Sequence, residues 1–124
     1  MTIADTLETA LLDLVFRNIA YTGHATLYVK LHTADPGEAG ATAPAGNTTR
    51  APVTFAAAAS GAIASNSAAS WTNVNTAETY SHVSLWDAAS AGVCKWTGPL
   101  SAPKTVAIGD NFSIPSGSLT VTLD

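Results

Sequence analysis

Two alternating runs joined by a tight turn fill Tyr80–Thr97, YSHVSLWDAASAGVCKWT, and this stretch constrains the fold more than any other. In the first run Val83 and Leu85 point to one face, and His82, Ser84 and Trp86 to the other. That period of two is what a half-buried strand requires. Asp87–Gly92 supplies the turn, with Gly92 available where the backbone needs a positive φ. In the second run, Val93–Thr97, strict alternation sets Cys94 and Trp96 on one face and Val93, Lys95 and Thr97 on the other. A hairpin alone is marginal in water, so the remaining chain must supply a layer to cover it.

The rest of the chain has the right rhythm for that. Ala25–Thr33 alternates cleanly, with Leu27, Val29 and Leu31 against Thr26, Tyr28, Lys30 and His32. Residues 34–47, with two prolines and three glycines, read as a long surface loop. Arg50–Ala58 resumes a strand with Val53 and Phe55 inward, and Pro52 places it at an edge or a strand entry. Shorter runs follow around Ile63, Trp71, Val106 and Phe112, and Gly98-Pro99 and Ala102-Pro103 read as punctuation around Leu100. The last run, Ser118–Leu123, places Leu119, Val121 and Leu123 inward. Turn signals at such short, regular spacing predict a mainly β chain, an antiparallel β-sandwich of jelly-roll or Ig-like type.

Residues 2–17 are the exception, and predict one N-terminal α-helix. Ile3, Leu7, Ala10, Leu11, Leu14 and Val15 fall three and four apart and form one apolar stripe. Thr2 is the expected cap and Asn18 the expected end, with Asp5 and Glu8 near the positive pole of the helix and Arg17 near the negative one. The organisation expected is a helix over 1–20, packed on or extending from a sandwich over 21–124. Covering the domain's own core is the default for a short amphipathic helix; docking into a neighbouring subunit is the alternative.

Charged residues make up only 11% of 124 residues, and the net charge is −4. The surface must therefore be Thr, Ser, Ala, Asn and Gly, which loses little on leaving water, as suits a subunit that lives against other subunits. Five scattered basic residues, Arg17, Lys30, Arg50, Lys95 and Lys104, do not make a phosphate-binding face, so nucleic acid is not an expected partner. No run approaches the ~20 apolar residues of a membrane span, and no basic n-region precedes an apolar run, so neither a membrane anchor nor a signal peptide is expected. The lone Cys94 forms no internal disulfide and supports no cysteine metal site; it reads as a small core residue.

The residues that carry chemistry form no recognisable catalytic pattern. His32 and His82, with Asp35 or Asp87, are the one conceivable metal set, but no spacing matches a ligand motif. His82 and Ser84 share a strand face roughly 7 Å apart, too far for a direct hydrogen bond, and a Ser/His pair or paired carboxylates brought together by the strands are not expected. No catalytic residue, cofactor or metal is assigned. Tyr28, His32, His82, Trp86 and Trp96 remain as candidate interaction residues, since aromatics on a strand face serve as interface anchors or stack on sugars.

The run Tyr28–Gly37, YVKLHTADPG, together with Ser81–Asp87, SHVSLWD, resembles a family of small tailed-phage virion structural proteins, those described as tail-fibre-like or head-decoration proteins. Arg50–Ala58, Trp96–Gly98 and Gly117–Leu123 extend the resemblance over nearly the whole chain. It implies a β-sandwich subunit on the virion exterior, made in the host cytoplasm, oligomeric and not an enzyme. The expectation drawn from it is a capsid decoration protein that bridges neighbouring shell subunits. Its partners would be the major capsid protein or other virion proteins and further copies of itself, a trimer being favoured. The alternative is a tail fibre or baseplate component, with or without a glycan-binding face.

Overall fold

Antiparallel pairing organises the chain in the computed structural model, which describes residues 2–123. The elements in order are β1 (Thr2–Ile3), α1 (Asp5–Arg17), β2 (Leu27–His32), β3 (Ala51–Val53), β4 (Ala62–Ala64), β5 (Ala69–Trp71), β6 (Glu78–Trp86), β7 (Cys94–Val106), β8 (Phe112–Ile114) and β9 (Thr120–Thr122). One layer is a five-stranded sheet of order β1-β7-β6-β2-β3; the other is built from the pairs β5-β8 and β4-β9. This is the mainly β, sandwich-like layout with one N-terminal helix that the alternation and turn rhythm predict.

The core lies between the layers. Val29 and Leu31 of β2, Val83 and Leu85 of β6, Val53 of β3 and Trp96 of β7 meet Ala69 and Trp71 of β5, Ile114 of β8 and the nearby Leu119. Phe112 bridges two large rings, 5.6 Å from Trp71 and 5.3 Å from Tyr80. With few large apolar residues in the sequence, these aromatic contacts supply much of the packing area. Pro52 sits in β3, the outermost strand, where its missing N–H breaks no interior ladder.

The hairpin β6–β7 departs from strict alternation in two places. Leu85 pairs with Trp96 but Trp86 pairs with Cys94, so Lys95 is the extra residue of a bulge. Cys94 and Trp96 therefore leave the common face that alternation assigns them: Trp96 enters the core beside Leu85, and Cys94 lies beside Trp86 on the other face. Further along, residues 99–104 of β7 stand opposite residues 80–82 of β6. Pro99 and Pro103 thus lie within one long strand instead of ending it. They are tolerated because β1 pairs only with Trp96 and Thr97, which leaves β7 an edge strand beyond that point.

The N-terminal helix also differs from expectation. Thr2 pairs with Thr97 in β1 and does not cap; Ala4 occupies the cap position with no side-chain bond. The backbone replaces it, since the Ala4 N–H donates to the Lys95 carbonyl and Leu7 and Glu8 N–H groups return to the Ala4 carbonyl. Asn18 ends the helix in the left-handed conformation (φ 56°), as its position predicts. No residue of α1 is buried; of the expected stripe, Ile3, in β1, packs against the core and the helical residues do not cover it. The reason is position: α1 follows the outermost strand of the sheet and is tied at its start to β7, so residues 14–20 stay exposed. Leu123, expected to point inward with Leu119, is likewise exposed.

Candidate functional site

The polar face of the five-stranded sheet carries most of the residues singled out in the sequence. Antiparallel register places Tyr28 opposite Trp86, Lys30 opposite Ser84 and His32 opposite His82. The loop 33–47 folds back over this face. Its Thr42 carbonyl accepts from His32 Nδ1 (2.9 Å), and a Cβ added at Gly40 would meet Cys94 Sγ at 2.7 Å and the Trp86 ring at 3.1 Å. Gly40 has φ +67°, so both its backbone and its surroundings call for glycine.

Beneath the loop lies a Ser/His pair. His32 Nε2 is 2.7 Å from Ser84 Oγ, and Trp86 Nε1–H donates to the same oxygen at 2.7 Å. Sequence spacing pointed to His82 as the partner of Ser84 and set a bonded pair aside; the cross-strand neighbour supplies one instead. With Nδ1–H donating to Thr42, Nε2 is left to accept the Ser84 proton, the arrangement of a nucleophile and its base. Both residues are fully buried, however, so no substrate atom reaches Ser84 in this structure. The pair fastens the loop to the sheet.

Burial pushes the His32 imidazole below its ordinary 6.5, with the charges of Lys30 and His82 adding to the effect and carbonyl bonding to Thr42 and Ala43 opposing it. A depressed histidine is neutral in the fold and takes up its proton more readily when unfolded. Its contribution is whole above pH 6.5 and is lost as pH falls through 6.5 towards the folded value. Unfolding free energy measured by urea between pH 8 and 5 is therefore expected to fall on acidification, by at most about 1.4 kcal/mol per pH unit for this one group. His32→Gln should flatten the slope; an unchanged slope would remove His32 as its cause.

Trp86 is half-buried, and its ring carries the Arg50 guanidinium at 4.2 Å and the Lys30 ammonium at 5.5 Å. Arg50 also donates to the Ala88 and Ala91 carbonyls, which locks the hairpin turn to β3. In the same turn Asp87 accepts from the Val93 N–H at 2.8 Å and lies 3.6 Å from Lys95; that bond, foremost, holds its carboxyl below the usual range. His82, half-buried, has its Nδ1 2.8 Å from Ser81 Oγ. Trp96 is buried in the core. Of the five candidates, then, Tyr28, His32, His82 and Trp86 share one face, and Trp96 lies on the other. Among the described residues no group of three His, Cys, Asp or Glu side chains could hold a metal ion.

A second surface feature lies elsewhere. A groove of about 610 Å³ runs between α1 and the sheet, lined chiefly by Ile3, Leu11, Leu12, Val15, Phe16, Trp96 and Leu123. Phe16 is 78% exposed, Val15 70%, Leu123 61% and Leu12 59%. At 3.6 residues per turn Leu12 and Phe16 fall opposite Leu7 and Leu14, so the second half of the helix is apolar on both sides. A helix with apolar residues on two opposite sides can bury only one of them against its own domain. The signal was present in the sequence, in the two residues outside the stripe. Among the described residues no helix is long and apolar enough to cross a membrane.

These features define a small β-sandwich protein whose N-terminal helix presents exposed apolar side chains beside a groove. Its residues 2–122 match the family described as podophage GP4 fiber I protein gp80, and the chain belongs to that family of phage virion structural proteins. No curated protein matches the chain.

Proposed function

We propose that the chain is a non-catalytic subunit of a phage tail fibre, acting by packing against other virion proteins and against copies of itself. The family match over nearly the whole chain carries this reading, because the family's description is that of a fiber protein. The geometry is in keeping with it: the cross-strand His32/Ser84 pair is sealed under a loop, while α1 exposes several large apolar side chains. Rigidity comes from the sandwich, and the sparsely charged skin lowers the cost of desolvating a contact. Capsid decoration, the reading favoured from the resemblance alone, asks for the same properties but a different place on the particle.

The two are separated by counting and locating the chain in purified particles. Quantitative mass spectrometry is expected to find it at fibre stoichiometry, well below that of the shell protein, with an antibody label at the tail in electron micrographs. A label spread over the shell at hundreds of copies would instead establish decoration. Absence from particles would end the virion reading altogether.

A further inference from the structure

We infer that the groove face of α1 is a self-association surface, whose occupant is the same face of a second copy of this chain. The inference rests on the virion-subunit reading and names the contact that such a subunit would use. Two observations converge on it. First, area: the exposed parts of Leu12, Val15, Phe16 and Leu123, which line the groove, add up to roughly 500 Å², within the range of the largest patch a monomer keeps in water. With the flanking polar rim, that approaches the ~800 Å² per partner of a stable interface.

Second, shape: the same surface offers both a hole and the side chains to fill it. The groove lies beside Phe16 and Val15, the most exposed large residues of α1, so one copy's projecting rings and methyls meet the other's cleft. A like-with-like contact needs that self-complementarity. Glu8 is the one charged residue in the lining, which gives no electrostatic handle to a partner of opposite charge.

The test uses the full chain in size-exclusion chromatography with light scattering at micromolar concentrations. The wild type is expected to run at a multiple of its 12.6 kDa mass. Leu12→Glu with Phe16→Glu should weaken association on the order of 100-fold and return the monomer. Both side chains are exposed, so circular dichroism should be unchanged. Ile108→Glu, on an exposed apolar residue outside the groove, should leave assembly intact. A monomeric wild type, an assembled double variant, or equal loss with Ile108→Glu would each overturn the inference. Those outcomes leave the particle measurements untouched, while absence from particles would end the virion role without altering a self-association seen in solution.

Discussion

Replacing Trp71 with alanine is expected to lower the unfolding free energy by about 3–5 kcal/mol, a large part of the total stability of a domain this size. Trp71 is buried in β5, stacks on Phe112 at 5.6 Å and donates its indole N–H to the Thr49 carbonyl at 2.8 Å. Alanine removes the ring from the centre of the core, unstacks Phe112 and leaves a carbonyl of the chain before β3 without its donor. The surrounding strands are short and pinned by their pairings, so they cannot collapse into the space. Urea denaturation reads the effect directly. Trp71→Phe, which keeps most of the ring, should recover more than half of the loss. A loss below about 1 kcal/mol for alanine would show that the layers are not held together at β5 and β8.

His32→Ala is expected to cost about 3 kcal/mol, through lost buried volume and through the partners it leaves unpaired. Thr42 loses the donor to its carbonyl, and Ser84 loses the ring nitrogen at 2.7 Å. Ser84→Ala removes less volume and leaves the Thr42 bond in place, so it should cost about half as much. The two variants differ in a second respect. Without His32 the loop 33–47 loses one of its ties to the sheet, beside the Ala45 N–H bond to the Leu31 carbonyl and the Glu78 bonds to Gly46 and Asn47, so limited proteolysis within 34–47 should accelerate in His32→Ala while Ser84→Ala stays resistant. Equal proteolysis of the two would mean that the histidine does not hold the loop, leaving Gly40 packing on Cys94 and Trp86 and the backbone ties at Ala45–Asn47 to do so.

The sheet was legible because its strands obey simple rules. Val29 and Leu31, Val83 and Leu85 alternate with polar residues, and Pro52 marks an edge where β3 is indeed outermost. What alternation cannot convey is a change of count between paired strands. The extra Lys95 sends Cys94 and Trp96 to opposite faces, and the surplus of residues opposite Tyr80–His82 turns two prolines from stops into passengers on an edge. Both depend on which strand is the neighbour, a property of topology and not of local sequence. The same holds for Ser84, whose bonded histidine is 52 residues away in sequence and adjacent only because β2 lies beside β6.

The helix was legible as a helix but not in its placement. Its stripe of Leu7, Leu11 and Leu14 has the spacing of a core-covering face, and nothing local says that the chain enters the sheet at its outer edge. Leu12 and Phe16 carried the missing information: an apolar residue on the solvent side of a proposed core helix is a cost unless another surface meets it. The candidate interaction residues Tyr28 and Trp86 were legible as a shared strand face. Arg50, which covers the Trp86 ring and fastens the turn, was invisible as anything but one of five scattered basic residues.

On the proposed function this chain works by being packed, with α1 as the element that meets a neighbour. A cryo-electron microscopy map of the intact particle, at a resolution that separates helices, tests this most directly. The predicted result is α1 enclosed, with Leu12 and Phe16 against protein density from an adjacent chain. A particle in which α1 points freely into solvent, or from which the chain is missing, would contradict it.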